Sequence, residues 1–79
     1  MYQMFSNCSS LTSLNLSNFN NINVKDMSYM FYGCYSLTSL NLSNFNTYNI
    51  NYMYDMFYGI KKGCKLICND YEIRNQFKV

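Results

Sequence analysis

Few residues in this chain belong to the types that carry most covalent and metal chemistry. The 79 residues include four cysteines and four acidic residues, but no histidine. The acidic residues do not form the paired arrangement that general acid and base catalysis requires. We therefore expect no catalytic residue and no enzymatic activity. Asp26 instead suits the cap of a helix, and Asp55 suits a solvated position.

The cysteines admit a metal site, a disulfide or a structural role. They lack the C-x-x-C pairs of structural zinc sites, so we expect no bound metal and no cofactor. Buried free cysteine behaves as a small apolar residue, which is the favoured interpretation. A disulfide between Cys8 and Cys34, which are equivalent positions of the repeat described next, is the alternative in an oxidising compartment. The other two cysteines are Cys64 and Cys68.

One ten-residue stretch occurs twice in the chain. Residues 11–20 and residues 37–46 both read "LTSLNLSNFN", which is an offset of 37 − 11 = 26 residues. Aligning residues 4–29 with residues 30–55 gives 16 identities in 26 positions. A fixed period of about 20–50 residues is typical of solenoids, propellers and related arrays. Each copy is therefore interpreted as one structural unit that stacks on the next.

The repeated unit begins with a strand pattern. In "SLNLS", Leu14 and Leu16 alternate with polar residues, which predicts a short strand with the leucines facing inward. Strands that recur a full repeat apart, with a crossover between them, pair in parallel. The Asn-rich stretch that follows, "NFNNINV", suits turns, because Asn tolerates left-handed backbone geometry.

The next segment changes to a helical period. Met27, Met30, Phe31 and Cys34 recur at i, i+3, i+4 and i+7, which predicts a helix of about two turns. Asp26 would cap this helix and Gly33 would end it. The second copy repeats the plan with a cap at Asn51, an end near Gly59, and an apolar face of Met53, Met56, Phe57 and Ile60.

Together these elements predict an α/β repeat solenoid with about 26 residues per repeat. It would be a right-handed coil with parallel strands on one face and short helices on the other. We expect one domain over residues 1–79. Its parts would be repeat one (4–29), repeat two (30–55), a degenerate third repeat (56–70) and a C-terminal cap (71–79).

The third copy keeps the strand but changes the segment after it. Without a gap, Leu66 and Cys68 of "CKLICN" fall on the inward positions. Asp70 would then cap a short helix that closes the last coil, since a terminal coil needs a polar outer face. We expect Ile73 and Phe77 to face the coil and Glu72, Arg74 and Lys78 to face water.

The start of the chain shows no comparable cap. Met1 falls on Met27 and Met53, inside the predicted helix, so we expect a truncated N-terminus, as in a fragment of a longer array. The alternative is a complete small protein that pairs its open first coil with a partner. An uncapped coil exposes apolar surface and an unpaired strand edge, so self-association through this end is expected.

The repeat resembles the leucine-rich repeat of BspA-like surface proteins. The resemblance rests on residues 11–36, "LTSLNLSNFNNINVKDMSYMFYGCYS", with its "MF-x-x-C" end, and it covers roughly residues 1–70. The chain differs from the common leucine-rich repeat at one position. Where that repeat has an inward Asn, this chain has Phe19 and Phe45, so the usual asparagine ladder would be missing. The resemblance implies a secreted or cell-surface protein that adheres to host or matrix proteins or to other cells.

The outward residues of the strands form the candidate ligand surface. They offer a flat, nearly uncharged, hydrogen-bonding face that suits a protein or glycan ligand. The exposed tyrosines are a second candidate, because aromatic residues often anchor interfaces. The contrasting hypotheses are a structural spacer that projects another domain and an intracellular interaction scaffold. The candidate surface comprises Ser13, Asn15, Ser17, Ser39, Asn41, Ser43, Lys65, Ile67 and Asn69.

Charge and hydropathy argue against other partners. The net charge is only +2, and most of the positive charge lies in residues 61–79, which suits a solvated end cap better than a nucleic-acid site. No apolar run reaches the length of about 18 residues that a membrane span needs, and no signal-peptide pattern is present in this segment. We therefore expect no nucleic-acid binding and no direct membrane insertion by these residues.

Overall fold

The computed structural model describes residues 1–77 and contains a three-stranded parallel sheet with one short helix. The strands are β1 (Ser13–Asn15), β2 (Ser39–Asn41) and β3 (Lys65–Ile67), followed by helix α1 (Tyr71–Gln76). The strands lie in the order β1-β2-β3, and both neighbouring pairs are parallel. Parallel pairing follows from the long connection between successive strands.

The strand register follows the sequence offset. Leu14 pairs with Leu40, and Leu40 pairs with Leu66, so each partner lies 26 residues further along the chain. We call residues 1–25, 26–51 and 52–77 layers one, two and three. Each layer contributes one strand, and the core lies between the sheet and the turn segments that precede the strands.

The inward positions of the strands are as predicted. Leu40 is 1% exposed in the central strand, while Ser39 beside it is exposed. Leu42 and Cys68, just past their strands, are also buried. The strand phase is therefore confirmed, although each strand has three residues rather than five, because the chain turns at Ser17 and Ser43.

The prediction of two helices on the opposite face is wrong. Residues 28–33 and 54–59 form successive turns, with hydrogen bonds such as Tyr32 N to Tyr29 O at 3.2 Å, which link residues three apart. Tyr29 and Asp55 have positive φ values of 58° and 48°, which interrupt any right-handed helix. Gly33 also has a positive φ, 77°, and so lies within the turn series rather than after a helix.

Alternate backbone amides of residues 3–7 and 29–33 donate to the next layer. Phe5 N donates to Met30 O and Phe31 N donates to Met56 O, each at 2.9 Å. A helix would have kept these donors within its own segment. Asp26 consequently caps a turn, accepting from Ser28 N at 2.8 Å, and not a helix. Asn51 likewise caps no helix, because residues 54–59 after it form turns.

The apolar positions predicted for the helices nevertheless fill the core. Met27, Met30, Phe31 and Cys34 are all 0% exposed. The ring of Phe31 stacks between those of Phe5 and Phe57, with a centroid distance of 5.7 Å on each side. Identical residues one repeat apart thus form columns that run through the layers, as expected when well-fitted layers repeat.

Helix α1 closes the third layer as predicted. Asp70 is its N-cap and accepts a hydrogen bond from Ile73 N at 3.0 Å. Ile73 is 0% exposed, and the ring of Phe77 meets that of Phe57 edge-on at 5.1 Å. Glu72 and Arg74 are exposed, while Lys78 lies outside the described residues.

A buried asparagine joins layers one and two, although no inward asparagine was expected. Asn21 is 2% exposed. Its side chain donates to Asn46 O at 2.7 Å and accepts from Asn46 N at 3.0 Å. Thr47 occupies the equivalent position in layer two, where Asp70 of layer three supplies the side-chain acceptor for its backbone N at 2.9 Å. A hydrogen bond between a side chain and the backbone therefore joins both pairs of layers, through the amide of Asn21 in one and the carboxylate of Asp70 in the other.

Replacing Asn21 by Ala should destabilise the chain measurably. The substitution leaves the N–H and C=O of Asn46 without their side-chain partner in a partly buried place, which costs about 1–3 kcal/mol. Urea denaturation followed by circular dichroism would measure the change in the free energy of unfolding. Asn23→Ala, at an exposed position two residues away, is the control and should change it by less than about 0.5 kcal/mol. Equal effects would contradict the assigned role of Asn21.

Candidate functional site

The parallel register aligns the candidate surface residues in columns. Ser13, Ser39 and Lys65 are direct partners across the three strands. Asn15, Asn41 and Ile67 form the second column. The remaining three candidates lie just past the strands and extend the surface along the chain. They are Ser17, Ser43 and Asn69.

Six of the nine candidates are exposed and three are half-buried. Asn41, Ser17 and Ser43 are half-buried, and the chain turns away from the strand direction at the two serines. Lys65 and Ile67 are exposed, with 56% of Ile67 accessible to solvent. The structure therefore brings the strand positions together as predicted and places the serines at the margin of the face.

The two asparagines of the second column are held by local hydrogen bonds. Asn15 Oδ1 accepts from Ser17 N at 2.9 Å, and Asn41 Oδ1 accepts from Ser43 N at 3.0 Å. These contacts orient each side-chain amide and use its oxygen. The Nδ2 groups donate to no group among the described residues. The face therefore offers two aligned N–H donors, which suit the carbonyl or hydroxyl oxygens of a ligand.

The surface is a shallow depression rather than an enclosed cavity. Its volume is about 240 Å³. Lys65 is the one charged residue among the nine candidates, so the face has little electrostatic field. A ligand would be recognised by hydrogen bonds and shape, without long-range steering. The depression is lined by Ser13, Leu14, Asn15, Ser39, Leu40, Asn41 and Ile67.

Comparison with known proteins assigns the chain to a family. The matching family model is described as "Mycoplasma protein of unknown function, DUF285", and the match covers residues 1–76. The chain belongs to the DUF285 family. Neither the curated proteins nor the solved structures give a match. All nine candidate surface residues lie within the part that the DUF285 model covers.

The tyrosines of this DUF285 chain form a second exposed feature. Rings of Tyr29 and Tyr32 meet edge-on at 5.8 Å, and Tyr32 stacks on Tyr58 at 5.2 Å. Tyr29 and Tyr32 are half-buried, so part of their surface serves packing between layers. Five further tyrosines are largely exposed, namely Tyr35, Tyr48, Tyr52, Tyr54 and Tyr58.

The cysteines contribute to the core. All four are free thiols, and Cys34, Cys64 and Cys68 are buried. Burial raises the pKa of these three thiols above the ordinary value, so they stay protonated and weakly nucleophilic at neutral pH. Cys34 Sγ donates to Phe5 O at 3.1 Å, a further link between layers one and two.

The described part of the chain offers neither a metal-ligand cluster nor a membrane span. Within residues 1–77, no three His, Cys, Asp or Glu side chains lie close enough together to hold a metal ion. No helix in these residues has the length and apolar character that crossing a bilayer requires.

Proposed function

We propose that this chain is a non-catalytic binding module that recognises a protein or glycan through its sheet face. The supporting observation is the pair of aligned asparagines, Asn15 and Asn41, whose Nδ2 groups donate to no described residue while their oxygens accept from backbone N–H groups. Fixed donors lose little conformational freedom when a ligand binds, which favours recognition.

The proposal also includes the overall fold of the chain and its location. The strand register of 26 residues and the columns of identical core residues support a leucine-rich-repeat-like solenoid of the BspA-like type. Surface or secreted localisation and adhesion to host or matrix proteins follow from that resemblance and are part of the same proposal. A structural spacer or an intracellular interaction scaffold is the competing proposal, supported by the low charge and shallow relief of the face.

The double substitution Asn15→Asp and Asn41→Asp tests the ligand face. Aspartate keeps the oxygen that accepts from Ser17 N or Ser43 N, but it removes the Nδ2 donor and adds negative charge. Binding to immobilised extracellular matrix proteins and neutral glycans would be measured by surface plasmon resonance. We expect at least about a tenfold loss of affinity, since each lost hydrogen bond contributes about 0.5–1.5 kcal/mol.

A charge-matched control separates an effect at the sheet face from a general effect of added negative charge. Asn23→Asp with Asn75→Asp adds the same two charges at exposed positions away from the sheet face. This variant should bind as the unmodified chain does. Equal binding by both double variants would refute the sheet-face site. Absence of binding to every ligand in the panel would favour the spacer.

A further inference from the structure

A second depression lies at the junction of layers two and three, formed by the segments that follow strands β2 and β3. Its volume is about 310 Å³, at the lower end of the range of about 300–1,000 Å³ that small-molecule pockets occupy. Its lining combines aromatic rings, two side-chain amides and one carboxylate. We call it the two-tyrosine site. It is lined by Phe45, Asn46, Tyr48, Asn69, Asp70 and Tyr71.

The two tyrosine side chains that line this site are open to solvent. Tyr48 is 83% exposed and Tyr71 is 68% exposed. Tyr71 is the first residue of α1 and lies about 200° around the helix from the fully buried Ile73, so the packing of α1 leaves its ring free. Both rings therefore offer apolar surface to a ligand, and tyrosine is a common anchor at binding surfaces.

A hydrogen-bonded link between the layers holds the backbone beside both tyrosines. Asp70 Oδ2 accepts from Thr47 N at 2.9 Å and from Thr47 Oγ1 at 3.1 Å. Each tyrosine directly follows one of these two linked residues in the chain. Asn46 Oδ1 also accepts from Tyr48 N at 3.1 Å. A site whose backbone is already held in place loses little conformational freedom when a ligand binds.

Side-chain amides supply the free polar groups of the site. The Nδ2 group of Asn46 donates to no group within residues 1–77, and it is accessible because no unpaired side-chain nitrogen or oxygen is buried there. Asn69 is exposed. The carboxylate of Asp70, by contrast, already accepts from Thr47 and from Ile73 N, the latter at 3.0 Å. The site therefore offers neutral hydrogen-bonding groups beside its aromatic rings.

The corresponding place between layers one and two lacks this combination. With the 26-residue offset, Ile22 and Phe45 stand where the two tyrosines are, and Phe45 is 3% exposed. Asn44, the equivalent of Asp70, donates through Nδ2 to Ser17 O. The two exposed tyrosines are thus a change of sequence at one junction and not a consequence of the repeat.

We propose that the two-tyrosine site binds one unit of a neutral saccharide. A pyranose ring carries C–H groups on its faces and hydroxyl groups around its edge, so its faces pack on aromatic rings while its hydroxyls bond to the amides. An anionic ligand is disfavoured, because Asp70, the one charged residue of the lining, is negative. A quaternary ammonium ion is also disfavoured, because rings as exposed as these do not enclose a cation and both oxygens of Asp70 already accept hydrogen bonds.

Nuclear magnetic resonance titration of the isotope-labelled 79-residue chain tests this site. The probes are glucose, galactose, mannose, N-acetylglucosamine and their disaccharides, with choline chloride as a separate probe. At least one saccharide should cause saturable shifts of the backbone amides of residues 45–48 and 69–71 and of the Asn46 side-chain amide. The absence of such shifts with every saccharide would overturn the proposal. Saturable shifts with choline alone would overturn it in favour of a cation site.

Substitution of either ring tests its part in binding. Tyr48→Ala and Tyr71→Ala each remove an exposed ring, so they should leave the fold intact and weaken saccharide binding about two- to tenfold. Tyr35→Ala is the matched control, because that ring is 62% exposed but lies outside the site, and it should bind normally. Circular dichroism would check folding, and the shifts of the unmodified chain decide the outcome if an alanine variant unfolds. Unchanged affinity of both folded tyrosine variants would contradict the proposal.

The two-tyrosine site shares Asn69 with the sheet-face candidates but includes none of the strand residues, so it does not depend on the proposed function. The double variant Asn15→Asp and Asn41→Asp separates the two. It should bind the saccharide as the unmodified chain does, whether or not the sheet face has a ligand of its own. Loss of saccharide binding in that variant, with normal binding by the tyrosine variants, would place the saccharide on the sheet face and refute the two-tyrosine site.

Discussion

Phe31→Ala should cause one of the largest losses of stability of any single substitution in this chain. Phe31 is 0% exposed and its ring stacks on Phe5 and Phe57, in the layers on either side. Truncating such a buried aromatic ring costs about 3–5 kcal/mol, because a cavity remains between the layers. A small domain has only about 3–5 kcal/mol of stability in total, so a large unfolded fraction is expected in buffer.

Denaturant melts of three variants would measure this effect. Phe31→Leu keeps much of the side-chain volume, so it should remain folded and allow a smaller loss to be quantified. Phe19→Ala is the control, because the same side chain is 49% exposed there and should contribute about 1 kcal/mol or less. Similar losses for Phe31→Ala and Phe19→Ala would show that the aromatic column is assigned incorrectly.

Leu40→Ala should cause a loss of comparable size from the sheet side of the core. Leu40 lies in the central strand, is 1% exposed, and has Leu14 and Leu66 as register partners. Removing its side chain should cost about 2–5 kcal/mol. Ser39→Ala changes the neighbouring outward position and should stay within about 0.5 kcal/mol.

The same urea melts give the free energies of unfolding for both strand variants. The two residues are adjacent in one strand, so any general effect of substitution on β2 is shared. A loss at Ser39 that matches the loss at Leu40 would mean that the strand faces the core with the opposite set of side chains, since a shift of one residue exchanges the faces.

Two elements could be predicted from residue patterns because their causes are local. The strand phase depends on the alternation of leucine with polar residues, which only one orientation of a half-buried strand satisfies. The cap depends on Asp70 followed by apolar residues at Ile73 and Phe77, which specify a helix start and its buried side. Both predictions are confirmed.

The two missing helices show the limit of periodicity. Met27, Met30, Phe31 and Cys34 have helical spacing and are all buried, yet the backbone between them forms turns. A series of turns can bury the same positions, so the pattern specifies the inward residues and not the backbone conformation. In residues 29–33 the turns prevail because alternate amides donate to the next layer, as Phe31 N does to Met56 O. Residues 54–59 accept these hydrogen bonds in a similar turn conformation.

The candidate site was only partly predictable for a similar reason. Alternation placed Asn15 and Asn41 on the outer face, and the register aligned them as expected. The use of each Oδ1 by a backbone N–H, which leaves the Nδ2 groups as the available donors, depends on the turn that follows each strand. The inward position of Asn21 likewise depends on the backbone of Asn46, 25 residues away.

The sequence by itself determined the 26-residue offset, the inward side of each strand and the closing helix, because each follows from the order and type of nearby residues. Tertiary structure alone decided which copies of a residue are covered. Phe19 and Phe45 occupy the same position in the two copies of the ten-residue stretch, yet one is 49% exposed and the other 3%. Within residues 1–77, Phe45 has a layer on each side, whereas Phe19 has a layer on one side only. Burial depends on these neighbours, which no local pattern encodes.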